Sequence, residues 1–172
     1  MALFDSPTDD ALFNFPTEPA FLVPVEVRPV PEIGVCHDGV FATSPIAKNT
    51  KFWAWTDRVK AIPSIEIESY ISEHYSTTEE IQIFLRQGFV LPNADDVFYS
   101  NPTDAGRFMN HSNAPNCGPD GTLRDIQTGE ELTMDYSFHG NPEWYQSICQ
   151  KYSVLTERQV AQNARNKSSD II

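Results

Sequence analysis

Basic residues are scarce in this chain: 12 Lys and Arg stand against 24 Asp and Glu, for a formal net charge of −12. The pI is about 4.6. That balance lacks the basic footprint that phosphate backbones require, so direct binding of DNA or RNA is not expected. It suits a positively charged partner, whose encounter a complementary potential speeds. The plainer reading, that acidity keeps the protein soluble, stands beside it. Cysteine is also sparse. Cys36, Cys117 and Cys149 are odd in number and widely spaced, so they make neither a disulfide framework nor a Cys-x-x-Cys pair. A reducing, intracellular setting, nuclear or cytoplasmic, is the simplest expectation. No apolar run approaches the ~20 residues of a membrane-spanning helix. The first twenty residues have no Lys or Arg and are punctuated by Pro7, Pro16 and Pro19, which argues against a targeting signal. Nothing in the sequence bears on oligomeric state.

The 172 residues, 40% of them hydrophobic, suffice for one domain with a real core. Residues 1–20 read as an acidic arm. Val23, Val25 and Val27 alternate as in a strand, which Pro24 and Pro29 confine to a sheet edge or make irregular. Gly39–Ala42 and Lys51–Trp55 read as further strands. Two helices follow. Ser64 is a candidate cap for the first, and Ser76 with Glu79 fits the capping-box spacing for the second, which Gly88 should stop. Strands resume at Phe89–Leu91, Val97–Tyr99, Thr122–Ile126 and Leu132–Asp135. A helix over Glu143–Tyr152 and a last one through Ala164, box-capped by Thr156 and Gln159, complete the pattern. Many short strands around a helical insert predict a β-rich mixed α/β domain.

Two segments carry the chemistry: Arg107-Phe108-Met109-Asn110-His111-Ser112-Asn113-Ala114-Pro115-Asn116, and Gly129-Glu130-Glu131-Leu132-Thr133-Met134-Asp135-Tyr136. An Asn-His-Ser tripeptide alone is uninformative; two long matches in order are not. Together they resemble the signature segments of the SET-domain protein methyltransferases, which move a methyl group from S-adenosylmethionine to a lysine side chain and release S-adenosylhomocysteine. The resemblance covers roughly residues 21–150. It implies a SET fold with short curved sheets, a helical insert near 63–88, a pseudoknot in which the Asn-His-Ser segment is threaded, and a C-terminal helix. The implied layout is a SET domain over 21–140 and a helical segment over 141–172.

What the resemblance implies for the site follows by position. His37-Asp38-Gly39-Val40-Phe41-Ala42 stands where the family has Gly-x-Gly and an apolar strand, with His37 replacing the first glycine. Asp38, Gly39 and Phe41 would lie by the methionine end of the cofactor. Asn110 and His111 would meet its polar groups, and Arg107 would meet a carboxylate or brace the loop. Tyr136 matches the catalytic tyrosine, whose hydroxyl orients amine and sulfonium. Burial in an apolar channel beside a cation helps the lysine lose its proton, and alignment supplies much of the rest. Trp55, Tyr99, Met134 and Phe138 are candidates for that channel, whose aromatic faces suit a methylated ammonium. Met134 occupies a position where Phe or Tyr is usual, so the number of methyl groups added is not legible.

Many family members end in a zinc cluster built on a cysteine just after Asn-His-Ser. Here that position is Asn113, and only Cys149 lies downstream, too few for tetrahedral zinc. No zinc is expected. Pro142-Glu143-Trp144-Tyr145-Gln146 instead resembles the C-terminal segment of zinc-free histone H3 lysine-4 monomethyltransferases of the family, which implies that Trp144 stacks on the adenine. The expected activity is methylation of a basic protein or peptide such as a histone tail. The alternatives are a methyltransferase of a non-histone protein and a non-catalytic SET module that binds peptide or cofactor.

Overall fold

The computed structural model describes residues 20–31 and 37–169. Most of the expected acidic arm lies outside them, as does Cys36. Three sheets, of four, three and two strands, are built from strands that mostly fall where alternation placed them. Strand β1 (Val25–Pro29) pairs antiparallel with β2 (Asp38–Ala42) and forms the sheet edge, which tolerates the proline that ends it. Strand β3 (Lys60–Pro63) follows, then a 3-10 turn at Ser64–Glu66 and helices α1 (Ile67–His74) and α2 (Thr78–Gln87). Strands β4 (Phe89–Leu91) and β5 (Ala94–Ser100) join β3 in a three-stranded sheet of order β3-β5-β4. Next come the short β6 (Asn110–His111), the hairpin of β7 (Cys117–Gly118) with β8 (Gly121–Thr122), and β9 (Glu131–Met134). Helices α3 (Glu143–Lys151) and α4 (Glu157–Ser169) close the described chain.

The local signals explain these boundaries. Helix α2 starts on a complete capping box, but one residue later than the spacing of Ser76 and Glu79 predicts. Glu80 accepts from the Thr77 N–H, and the Glu80 N–H donates to Thr77 Oγ1. The Ser76 N–H also donates to Glu80, so one carboxylate collects both amides ahead of the helix and Glu79 takes no part in the box. Ser64 opens a 3-10 turn rather than capping α1. Lys51–Trp55 is not a strand: Trp53 forms one isolated bridge with Phe21, flanked by the Leu22 N–H to Phe52 and Ala54 N–H to Ala20 bonds. The strand read over Thr122–Ile126 likewise shortens to β8 and an isolated bridge from Ile126 to Ile46. Strand β3 was not anticipated; its short Lys-Ala-Ile-Pro sequence carries too little alternation.

Two cores fill the interior. One joins the insert helices to the three-stranded sheet and α3 through Ile67, Ile71, Phe84, Leu85, Val90, Phe98 and Tyr145. The other lies under the four-stranded sheet β1-β2-β9-β6 and holds Val40, Ile46, Phe52, Met109, Ile126 and Leu132. In that sheet β9 pairs antiparallel with β2 and parallel with β6. The two signature segments therefore become neighbours, although twenty residues separate His111 from Leu132 along the chain. Among the described residues no helix is long and apolar enough to cross a membrane.

Candidate functional site

A cavity of about 630 Å³ opens at this junction. Its walls come from four places: His37 and Asp38 ahead of and on β2; α2 with Ile83, Phe84 and Arg86; the segment carrying Arg107, Asn110 and His111; and the C-terminal part with Tyr136, Leu155, Glu157, Val160 and Ala164. Five of the residues expected at the site, Asp38, Arg107, Asn110, His111 and Tyr136, line this one space.

Their settings are fixed by backbone contacts. The Asn110 amide donates to the Asp38 carbonyl at 2.9 Å and to Glu131 Oε1 at 2.8 Å, tying β6 to both β2 and β9. Gly39 fits this clasp. A Cβ there would lie 2.4 Å from Glu131 Oε1 and 2.7 Å from Val30 Cγ2, so the glycine makes room for the carboxylate that Asn110 holds. His111 is occupied at both nitrogens: Nδ1 accepts from the Tyr136 N–H at 3.2 Å, and Nε2 lies 3.1 Å from Asn113 Oδ1. In that pattern Nδ1 is the acceptor and Nε2 the donor toward Asn113. Arg107 donates to the Pro102 carbonyl at 2.5 Å, and its guanidinium lies over the Phe108 ring. Burial lowers its pKa to about 10, against the pull of Asp104 and Asp38, so it stays charged at neutral pH.

Two residues of this clasp escaped sequence reasoning. Asn116 is 1% exposed; its amide donates to the Glu131 carbonyl at 2.7 Å and its oxygen accepts from the Thr133 N–H at 2.8 Å, so a side chain stands in for a strand beside β9. Asp104 caps the Ala105–Phe108 turn through the Gly106 N–H and accepts from the Trp53 indole at 2.5 Å. Their signal was present, since Asn116 ends the first signature segment and Asp104 precedes it as a helix-capping residue.

Tyr136 lines the cavity. Its hydroxyl donates to the Met109 carbonyl at 2.5 Å. Burial, reinforced by the charges of Glu157 and Glu131, pushes the phenol well above the ordinary tyrosine range. It therefore remains protonated at neutral pH, with its oxygen lone pairs available. An aromatic wall runs away from it. His139 stacks on Tyr136 at 5.6 Å between centroids and Phe89 stacks on His139 at 5.1 Å. Trp55 and Tyr99 pack against Phe89 at 6.0 and 5.8 Å, and Trp55 is half exposed. Of the channel candidates, Trp55 and Tyr99 belong to this wall. Met134 pairs with His111 in register and packs into the second core, and Phe138 is 58% exposed outside the wall. The bridging members, Phe89 and His139, were not singled out beforehand.

Phe41 and Trp144 lie outside the cavity lining. Arg28 covers the Phe41 ring at 3.8 Å. The Trp144 indole donates to the Asp95 carbonyl at 2.7 Å and its ring packs on Tyr145. The covering element at the cavity is α4. It begins on the anticipated Thr156–Gln159 box, with Thr156 N–H to Gln159 Oε1 at 2.9 Å and Gln159 N–H to Thr156 Oγ1 at 3.3 Å. Arg165 pins it further along by bonding Ser137 at 2.9 Å and Asp135 at 3.3 Å. Near its start, buried Glu157 forms an ion pair with His139 Nδ1 at 3.1 Å.

That pair has a pH signature. Burial lowers the His139 pKa, but the charge and contact of Glu157 outweigh it and the net shift is upward; burial raises Glu157. Both groups keep protons to higher pH when folded, so the native state binds more protons than the unfolded chain and stability falls as pH rises. His139's share is complete below its ordinary value of 6.5 and lost as pH climbs through its raised folded value. Asp135 acts on the acid side. Burial raises it, but the Ser137 N–H and hydroxyl and the charge of Arg165 more than offset this, so its contribution is lost as pH falls. The melting temperature is expected to decline between pH 6.5 and 8.5, and His139→Gln combined with Glu157→Gln is expected to flatten that decline. An equal decline in wild type and double variant would refute the assignment.

The cavity is of ligand size, with Arg107, Asp38 and Glu157 set among a mainly apolar lining. The model of the SET domain matches residues 37–137, more than half of the chain. The chain belongs to the SET-domain family, and its mixed α/β architecture of short sheets and helices is the SET fold. No curated protein matches the sequence. Among solved structures, Polycomb Repressive Complex 2 of Chaetomium thermophilum in an autoinhibited conformation bound to S-adenosylmethionine is similar at 18% identity and a TM-score of 0.49, over 76% of this chain and 17% of that chain. The same complex in an apo autoinhibited state gives 17% identity and a TM-score of 0.49, over 76% and 17%. This chain thus spans less than a fifth of those it resembles. Among the described residues there is no group of three or more His, Cys, Asp or Glu placed to hold a metal ion.

Proposed function

We propose that this protein is an S-adenosylmethionine-dependent protein-lysine N-methyltransferase acting on a basic protein or peptide such as a histone tail. The observation that carries the reading is the position of Tyr136, which both lines the cavity and stacks on His139 of the aromatic wall. The cavity fits the methyl donor: about 630 Å³ suits a nucleoside-sized ligand, and charged Arg107 faces it together with Asp38 and Glu157, which complements a zwitterion. Bound there, the donor would supply an electrophilic sulfonium methyl group. Arg107, His111 and the Asn110 clasp on Asp38 and Glu131 would hold and orient it. Trp55, Phe89 and Tyr99 would pass an aliphatic side chain with a cationic tip toward Tyr136. The Tyr136 proton is committed to Met109, so its oxygen would accept from the substrate amine and align it.

Donor binding is the first test. S-adenosylmethionine is expected to bind the purified protein in calorimetry and raise its melting temperature, because a ligand specific for the folded state must stabilise it. No heat and no thermal shift at millimolar donor would refute both the enzyme and the cofactor-binding module. Labelled donor incubated with histones and cell extract, read by mass spectrometry, then separates the enzyme from the module and identifies the acceptor.

A further inference from the structure

Methyl transfer needs a neutral amine, and Tyr136 cannot take the proton, since its phenol stays protonated and bonded to Met109. The aromatic wall contains one ring that can. His139 lies between Tyr136 and Phe89 in the stack, and behind it Glu157 reaches the cavity. The pair thus joins a ring of the stack to a carboxylate of the cavity lining, with His139 Nδ1 3.1 Å from Glu157 Oε2. Resting on the methyltransferase reading above, we propose that the Glu157–His139 pair is the proton acceptor for the incoming lysine.

In this step an N–H bond of the ammonium breaks and its electron pair stays on nitrogen. Above the pH at which His139 has lost its own proton, the ammonium's proton joins its ring, and the pair passes from carboxylate with neutral imidazole to carboxylate with imidazolium. The nitrogen lone pair then forms the N–CH₃ bond as the C–S bond of the sulfonium donor breaks, its electrons going to sulfur to leave a thioether. The product leaves as a methylated ammonium, and the pair releases its proton to solvent. The groups facing the pair are Tyr136 and Asp135 from the β9 end, and Tyr145 and Cys149 from α3. Burial raises Tyr145 well above its ordinary value and raises Cys149 to about 12, so neither competes for the proton at neutral pH. The opposing view is that the pair only tethers α4.

The test uses the full chain with isotope-labelled histidine, His139→Gln to assign the ring signal, and S-adenosylhomocysteine in the pocket. At pH 8, n-butylammonium, which is the lysine side chain without its backbone, is expected to move the His139 signal toward imidazolium, while n-butanol leaves it in place. Glu157→Gln is expected to lower the His139 titration midpoint by about one pH unit or more and abolish the response to amine. With core histones as acceptor, Glu157→Gln and His139→Gln are each expected to gain roughly tenfold in rate per pH unit from 7 to 9, as the free amine with its pKa of about 10.4 deprotonates unaided. The wild type is expected to level off. A His139 signal indifferent to amine, or parallel rate profiles for wild type and variants, would overturn the proposal while normal donor binding kept the methyltransferase reading intact. Absence of donor binding in wild type would overturn both.

Discussion

Tyr136→Phe is expected to reduce methyl transfer about 100-fold or more, the loss typical of removing one well-placed polar group from a reacting centre. The ring is retained, so the contacts with His111 and His139 at 5.5 and 5.6 Å survive and the wall stays in place. What disappears is an oxygen held by its donated bond to Met109. That bond fixes where the lone pairs point, and orientation is the part of the barrier this protein can lower. The stability cost should be near 1 kcal/mol, for one lost hydrogen bond and an under-satisfied Met109 carbonyl. Donor affinity by calorimetry should hold within a few-fold, because the loss falls on the transition state. A variant that turns over at the wild-type rate would remove Tyr136 from the chemistry.

Phe98→Ala should have the largest effect on stability. Phe98 is fully buried in β5, with Phe84 of α2 at 5.0 Å and Tyr145 of α3 at 5.7 Å. It also fills the space over Gly88, where a Cβ would lie 2.2 Å from Phe98 Cζ. Gly88 has no side chain to move into the void, so little relaxation is available. The expected cost is about 3–5 kcal/mol, a large share of the ~5–15 kcal/mol that holds a domain together. Urea denaturation followed by circular dichroism measures it. A loss under 1 kcal/mol would show that helix and sheet repack freely there.

The sequence made the two signature segments legible because each is local: Asn110, His111 and Tyr136 lie in short runs whose order and spacing are visible without a fold. The sheet edge at Pro29 and the box at Thr156 were legible for the same reason. Interactions between distant residues were not. Nothing in the run from Lys51 to Trp55 reveals that the Trp53 indole bonds Asp104, and nothing around Phe89 shows that it stacks on a histidine fifty residues later. Trp144 illustrates the limit. Trp144, Tyr145, Ile148 and Tyr152 all pack toward the first core, but helical spacing does not say which cavity a ring reaches, and here Trp144 meets Asp95 and Tyr145. Glu157 was invisible as a site residue because a glutamate opening a helix reads as ordinary charge placement.

The order of elements along the chain has a consequence for the protein's birth. A ribosome delivers both cores, the stacked rings and Tyr136 before it delivers Glu157, Val160 and Ala164. Until α4 emerges, Arg165 cannot reach Asp135 and the carboxylate partner of His139 does not exist. A nascent chain can therefore assemble its sheets while its pocket is still open on one side. Of the elements that line the cavity, α4 is the last in chain order, so a chain cut before it has the scaffold of the site without its enclosure.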